Sequence, residues 1–409
     1  MSPVQLRSRT ANAPYSRRIS LTERSYLMGA LLAPPMAIQV FVEGAGTIDP
    51  DQLARAVATA SAACPGARVV RRGSNWVDSG QAPPVTVVDG ALIDFDSYDS
   101  EPLKRPFDVA RGPNCEVLLI TGERPTVVFR AFHAVMDGKG VMTWITEVFR
   151  ALRGETVLGA TDTDTDESLV ARFAKNDGAA AAPKSTGDWP SALDALPDHG
   201  TSRDEATGAA WIWRRRTVPG IHAGLVAKAA VAITRASGAA AQYMVPINLR
   251  RHDPAVLSTA NLTLPILLDV PVDAAWRRIQ GKLVQAMMEG KELDSRGPNA
   301  GDTRLSSFAG LAPGLNQALS AGEQRATYPT SGIISELGRP DLAALGGAGF
   351  EARTVYSLPM YIPYAPTFLT MYQLPGWVEI GLSCRSGAGM ASKADALLSL
   401  VADELTSSL

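Results

Sequence analysis

Four histidines, His133, His199, His222 and His252, are the natural starting point, because imidazole is the side chain most readily poised as a general base near neutral pH. His199 and His252 lie in polar stretches and read as solvated, and His222 opens a predicted helix. Only His133 stands in a core-like setting with a carboxylate, Asp137, four residues on. Asp137 has three uses open to it: accepting a bond from the imidazole, holding the turn, or pairing with an arginine from elsewhere. Gly138 and Gly140 allow a positive φ or a close backbone approach. Two other readings of His133 stand beside the base. It is a core histidine satisfied by a backbone carbonyl, or it ligates a metal together with Asp137. The metal reading lacks a third ligand, since no second His/Asp/Glu cluster has suitable spacing. No metal is expected.

The elements around His133 position it. Val127, Val128, Phe129, Ala131 and Phe132 form a nearly continuous apolar run, the pattern of a strand buried on both faces. Val141, Trp144, Ile145, Val148, Phe149 and Leu152 recur at helical spacing, and Gly154 stands where a C-terminal cap belongs. His133 therefore sits where a buried strand turns toward an amphipathic helix, a place that can open onto a cleft.

The 409 residues suggest two domains or one large two-lobed unit, and an apolar fraction of 46% is that of a globular chain. No apolar run reaches the roughly eighteen residues of a membrane span. Arg7, Arg9, Arg17 and Arg18 precede no apolar stretch, so no secretory signal is expected. Cys64, Cys115 and Cys384 are odd in number and widely spaced, which fits a reducing cytoplasm. A net charge of −2 gives no reason to expect nucleic-acid binding.

Residues 1–157 read as an N-terminal lobe. A loose basic arm over residues 1–20 precedes a strand at Ala37–Val42. A helix follows with Asp49 at its N-cap and Pro50 at its first position, ending at Cys64-Pro65-Gly66. Val69–Arg72 and Asn75–Val77 make a hairpin. A loop-rich span leads to Arg111-Gly112-Pro113, and Cys115–Ile120 turns at Gly122 into the strand bearing His133. Residues 158–208, with the Thr-Asp repeat at 161–166 and an Ala-rich run, read as a solvated inter-lobe linker with one or two short helices.

Residues 209–409 read as the C-terminal lobe. Trp211–Trp213 is a strand running into Arg214-Arg215-Arg216, a basic run that is either a solvated edge or a phosphate contact. A helix spans Leu225 to Ile233, and strands follow at 242–247 and 261–270. Asp273 caps a helix carrying Trp276, Ile279, Leu283 and Met287, closed by Gly290. Val355–Leu358, Thr367–Tyr372 and Trp377–Ser383 read as antiparallel strands, and Ala394 to Leu405 as a closing helix. Neither GxGxxG nor GxxxxGK[ST] occurs in the Gly-rich turn at 342–350, and GxSxG is absent from the chain.

The stretch His133-Ala134-Val135-Met136-Asp137-Gly138 resembles the HxxxDG signature of the chloramphenicol-acetyltransferase-like superfamily. That group includes condensation domains, polyketide-associated acyltransferases and wax ester synthases. The order of early strand, first helix, hairpin, motif and amphipathic helix is similar over about 150 residues. Val245-Pro246-Ile247-Asn248-Leu249-Arg250 with Ala260-Asn261 resembles a second conserved segment of the group, with Ala260 where glycine is usual. Pro329–Gly338 resembles a third. Phe132 stands where condensation domains carry a further histidine, which argues against a peptide-bond-forming module.

The resemblance implies an α/β fold of two related lobes, each a mixed sheet flanked by helices, with a tunnel between them and His133 midway. It implies that His133 is the general base, that Asp137 is mainly structural, and that Arg250 is its ion-pair partner across the lobes. It places Asn261 and Ser331 at the substrate, Gly138 in the catalytic motif, and Ser335 as the candidate oxyanion donor with Ser331 and Thr330 behind it. The implied activity is acyl transfer from coenzyme A or a phosphopantetheinyl acyl or peptidyl carrier protein to an alcohol or amine, within natural-product biosynthesis. The acceptor attacks directly, with no acyl-enzyme and no tightly held cofactor. Two alternatives remain: a degenerate protein that only binds a carrier-bound intermediate, and a condensation-like enzyme performing cyclisation or dehydration.

Overall fold

A computed structural model describes residues 14–174, 188–197, 210–294, 317, 322 and 324–407. The chain begins with a short strand, β1 (Ser16–Arg18), and a helix, α1 (Leu21–Leu32), before the first long strand, β2 (Ala37–Gly46). The expected loose arm is therefore built in from Ser16 onward, with Arg17 only 3% exposed. The local cause is a capping box, Ser20 bonding the Glu23 N–H and Glu23 reaching back to the Ser20 N–H.

α2 (Pro50–Ala63) starts as expected, with the Asp49 carboxylate accepting the Gln52 N–H at 2.7 Å. β3 (Val69–Arg72) and β4 (Asn75–Asp78) form the hairpin, and β1 joins it as a third antiparallel strand. The loop-rich span holds a strand the sequence pattern did not show, β5 (Val85–Asp89), and a short helix, α3 (Glu101–Lys104). β6 (Cys115–Thr121) and β7 (Thr126–Phe132) pair antiparallel. α4 (Gly138–Leu152) follows the His133 turn.

β7 is apolar almost throughout because each face meets a different core. Val127, Phe129 and Ala131 pack with Trp144, Val148 and Phe149 of α4, whereas Val128 packs with Phe41, Leu118 and Tyr356 on the other side. Arg130 is the exception on that second face. It is fully buried and satisfied by Glu116, the Gln39 side chain and two backbone carbonyls.

The segment read as a solvated linker is partly packed. α5 (Asp166–Phe173) buries Leu169 against Leu249, Leu262 and Leu264, and Asp166 accepts the Thr22 hydroxyl at 2.6 Å. α6 (Ala192–Ala195) is the second short helix.

In the second half, β8 (Trp211–Pro219), α7 (Leu225–Ser237), β9 (Ala241–Asn248), β10 (Thr263–Val270) and α8 (Trp276–Glu289) come in the expected order. α8 starts with Ala275 at its N-cap rather than Asp273, and Gly290 ends it with φ +73°. His222 does not open α7, which begins after Gly224; it is buried, its Nε2 on the Pro219 carbonyl. His252 is not solvated either, since Glu292 holds its Nε2 at 2.8 Å. The basic run is neither a free edge nor an open phosphate site at two of its three positions. Arg214 pairs with Asp395, and Arg215 pairs with Glu379 and Glu43 while lying 3.6 Å over the Tyr356 ring.

β11 (Gly332–Glu336), β12 (Phe350–Leu358), β13 (Thr367–Leu374), β14 (Trp377–Arg385) and α9 (Met390–Thr406) complete the chain. One sheet has the order β10-β9-β11-β13-β14-β8 and the other β12-β2-β7-β6-β5. β12 thus leaves the strands expected beside it and pairs antiparallel with β2 in the first sheet, Val355 opposite Val42. It covers the edge that β2 would otherwise expose. The Ser357 carbonyl accepts the Thr370 hydroxyl of β13 at 2.8 Å, so β12 also ties the two sheets together. The architecture is mixed α/β in two lobes.

Candidate active site

β7 delivers His133 to the rim of the first sheet, where its N–H bonds the Met36 carbonyl at the start of β2 at 2.9 Å. The chain then turns and enters α4 with Asp137 as N-cap. Asp137 uses both oxygens. Oδ1 accepts the Gly140 N–H at 2.7 Å and so starts the helix. Oδ2 accepts Arg250 Nη1 at 2.9 Å, the Leu262 N–H at 2.8 Å and the Thr263 hydroxyl at 2.9 Å, all from the second half of the chain. Burial pushes this carboxyl up, but the Arg250 guanidinium and the two backbone N–H groups outweigh it and hold it below the usual carboxylate range. Arg250 spends its remaining donors on the Ser258 and Ala260 carbonyls and on Asn248. Of the three uses open to Asp137, the structure selects the turn and the arginine.

The imidazole itself is claimed by Asn261. Its Oδ1 lies 3.1 Å from His133 Nδ1, and its Nδ2 donates to the His133 carbonyl at 2.7 Å. A carbonyl only accepts, so the second contact fixes which end of the amide is which. The first contact must then be Nδ1–H donating to Oδ1. The neutral ring carries its proton on Nδ1 and leaves the Nε2 lone pair free. Removal from water pushes the imidazole down to about 4, against the raising pull of its own carbonyl, Asp137 and Asn261. His133 is therefore an unprotonated ring throughout the neutral range.

Gly138 and Gly140 are present for close approach, since neither has a positive φ. A Cβ on Gly140 would lie 2.1 Å from the Thr259 carbonyl oxygen, backbone against backbone, where the second half closes on α4. Gly140→Ala is expected to cost about 1–3 kcal/mol. Chemical denaturation of the two chains checks it, and an unchanged midpoint would show that the interface yields freely.

No protein-family model matches the sequence, and no curated protein matches it either. Solved structures do. The first condensation domain of the CDA synthetase is 14% identical with a TM-score of 0.65, over 96% of this chain and 97% of that one. The EpoB cyclization-docking bidomain from Sorangium cellulosum is 15% identical with a TM-score of 0.59, over 96% and 85%. The starter condensation domain of rhizomide synthetase RzmA, solved with C8-CoA and Leu-SNAC, is 13% identical with a TM-score of 0.61, over 96% and 95%. The chain has the condensation-domain fold.

Within that condensation-domain fold the other expected residues fall as follows. Asn261, expected at the substrate, is instead bonded to His133 through both ends of its amide. Ser331 accepts the Gln242 N–H at 3.3 Å, and Thr330 donates to the Gln242 carbonyl at 2.7 Å, so both fasten the entry of β11 to β9. Ser335 is buried and makes no hydrogen bond among the described residues. It shares a strand face with Ile333 and Leu337. Ile333 packs in the core that holds Phe132 to Met136, and a Cβ on Gly138 would meet Leu337 at 3.1 Å. Ser335 thus faces the motif side of β11, without direct contact to His133.

Three residues of this neighbourhood carried no signal of their own in the sequence. Glu23, fully buried, accepts from Arg17, Trp76 Nε1 and the Ser20 N–H, and lies 3.5 Å from Asn261 Nδ2. Arg17 donates onward to the Val135 carbonyl inside the motif turn at 2.9 Å. Tyr26 stacks on the His133 ring at 3.8 Å between centroids. The Ser20-x-x-Glu23 spacing was the one available clue, as it marks the start of the helix that carries Glu23 and Tyr26. Among the described residues no group of three metal-binding side chains occurs, and no helix is long and apolar enough to cross a membrane.

Proposed function

We propose that this chain is an acyltransferase that moves an acyl group from a pantetheine thioester to an alcohol or amine, with His133 as general base. The observation that carries the reading is the tautomer. Nδ1–H is bound to Asn261, so Nε2 is left as a free lone pair in a desolvated setting. Nε2 takes the proton of the acceptor as its oxygen or nitrogen attacks the thioester carbonyl. The tetrahedral intermediate collapses, and the proton passes from Nε2 to the leaving thiolate. Atoms balance without an acyl-enzyme, a metal or a bound cofactor. Ser335 is the proposed oxyanion donor, on the strength of its strand face alone. The RzmA starter domain was solved with an acyl-CoA, which supports a coenzyme A donor; an acyl or peptidyl carrier protein presents the same pantetheine arm. Asp137 and Arg250 hold the turn and take no proton.

The test is intact-mass analysis of small-molecule products after the chain meets a panel of acyl thioesters with mixed alcohols and amines. Products heavier by one acyl group are expected. Loss of water from a single substrate would favour cyclisation, the reaction named for the EpoB domain of the same fold. No product with any donor would favour a binding protein.

A pH prediction follows from the same ring. The base works only unprotonated, and its affinity for protons is lowered to about 4. The acid limb of kcat/KM should therefore lie near pH 4, with a plateau through neutral pH, rather than near the ordinary value of about 6.5. A limb at 6.5 in the transfer assay would mean that the working base is a solvated group, not this ring.

A further inference from the structure

The His133 ring has two faces and two nitrogens, and the mechanism above uses only the nitrogens. One face is covered by Tyr26, with centroids 3.8 Å apart and planes within 19°. Tyr26 comes from α1, one helical turn after Glu23 and on the same side of it. Glu23 is gripped by Trp76, Arg17 and its own capping box, and Arg17 also holds the motif turn through the Val135 carbonyl. One buried anchor thus sets the helix that carries Tyr26 and the turn that carries His133. We propose that Tyr26 is a positioning residue of the site: its ring fixes the plane of the imidazole and closes one face of it to water, so that Nε2 is presented in one orientation.

The ring face has a second consequence. Once Nε2 takes a proton, the imidazolium lies against an aromatic face that attracts it. The groups around the pair are few. Asp137 lies on the same turn, paired with Arg250; Asn261 comes from the segment before β10; Glu23 and Arg17 come from the α1 anchor. Tyr364, between β12 and β13, acts electrostatically on the Tyr26 hydroxyl. The charged groups are all paired with one another, so the covering ring is the element whose removal admits water to the imidazole.

The kinetic arm of this proposal rests on the acyl-transfer reading, whereas the titration arm does not. The full chain, labelled at histidine for NMR, would be compared with Tyr26→Phe and Tyr26→Ala, using His133→Ala to identify the His133 signal. Phe keeps the ring face and should match wild type in kcat and in the His133 midpoint. Ala should move that midpoint up by about one unit or more, toward the ordinary value. It should also lower kcat about tenfold while KM stays within about twofold. An Ala variant with midpoint and kcat both unmoved would overturn the proposal. So would a Phe variant that behaves like Ala, since the hydroxyl would then be the active part. If Ala fails to fold, Tyr26→Leu keeps the bulk without the flat face; its kcat should fall with KM held, and an unchanged kcat overturns the proposal. A wild-type chain that transfers nothing would remove the acyl-transfer reading, and the midpoints alone would still decide what Tyr26 does.

Discussion

His133→Ala is expected to lower the rate of acyl transfer by about 10²–10⁴-fold, the range for loss of a positioned general base. The prediction rests on geometry. No other titratable side chain touches the imidazole among the described residues, because Asp137 is committed to Arg250, Gly140, Leu262 and Thr263. Asn261 cannot replace the base, as its amide has no lone pair basic enough. The fold should survive the change. The main-chain bond from position 133 to the Met36 carbonyl does not depend on the side chain, and the Asp137–Arg250 closure is untouched. Product mass and initial rate are measured on both chains, with circular dichroism as the folding control. Transfer retained within about tenfold would remove His133 from the chemistry, whatever else the fold does.

Arg250→Met has the largest expected effect on stability, about 3–5 kcal/mol, because it strands a buried carboxylate. Asp137 is only 2% exposed and would keep its backbone donors but lose its counter-charge. The arginine also satisfies the Ser258 and Ala260 carbonyls, so its removal loosens the segment that carries Asn261. Activity should fall with stability for that reason. Asp137→Asn is the milder partner, since Arg250 retains three carbonyl contacts and the amide oxygen can still cap α4. The double variant should cost less than the sum of the two singles. The sign with pH is fixed by the lowered carboxyl. Its contribution is present above the unfolded value of about 3.9 and is lost as pH falls through the lower folded value. Denaturant midpoints of the four chains at neutral and acid pH measure all of this. Two single variants each within about 1 kcal/mol of wild type would show that the lobes close without this pair.

Much of the site's scaffold was legible because it is local. A strand buried on both faces, a turn and an amphipathic helix are each written within a few residues, and Phe129, Trp144 and Phe149 announce the core they share. The Asp49 cap, the 69–77 hairpin and the Gly290 stop are local in the same sense. The pairing of Asp137 with Arg250 was not local; it came from the resemblance of two distant segments to one family. Tertiary structure alone decided the rest. Periodicity reports that β12 is a strand but not that its partner is β2, because the same pleat suits any edge left open. Arg17 and Glu23 read as solvated charges until a core closes over both and makes each the other's partner. Asn261 reaches His133 across 128 positions, and no spacing rule links them. The sequence by itself determined which side chain could be the base and which elements would carry it. Only the folded chain decided the proton's place on that ring, because the partners that set it, Asn261 and Tyr26, arrive from segments whose own patterns say nothing of where they end up.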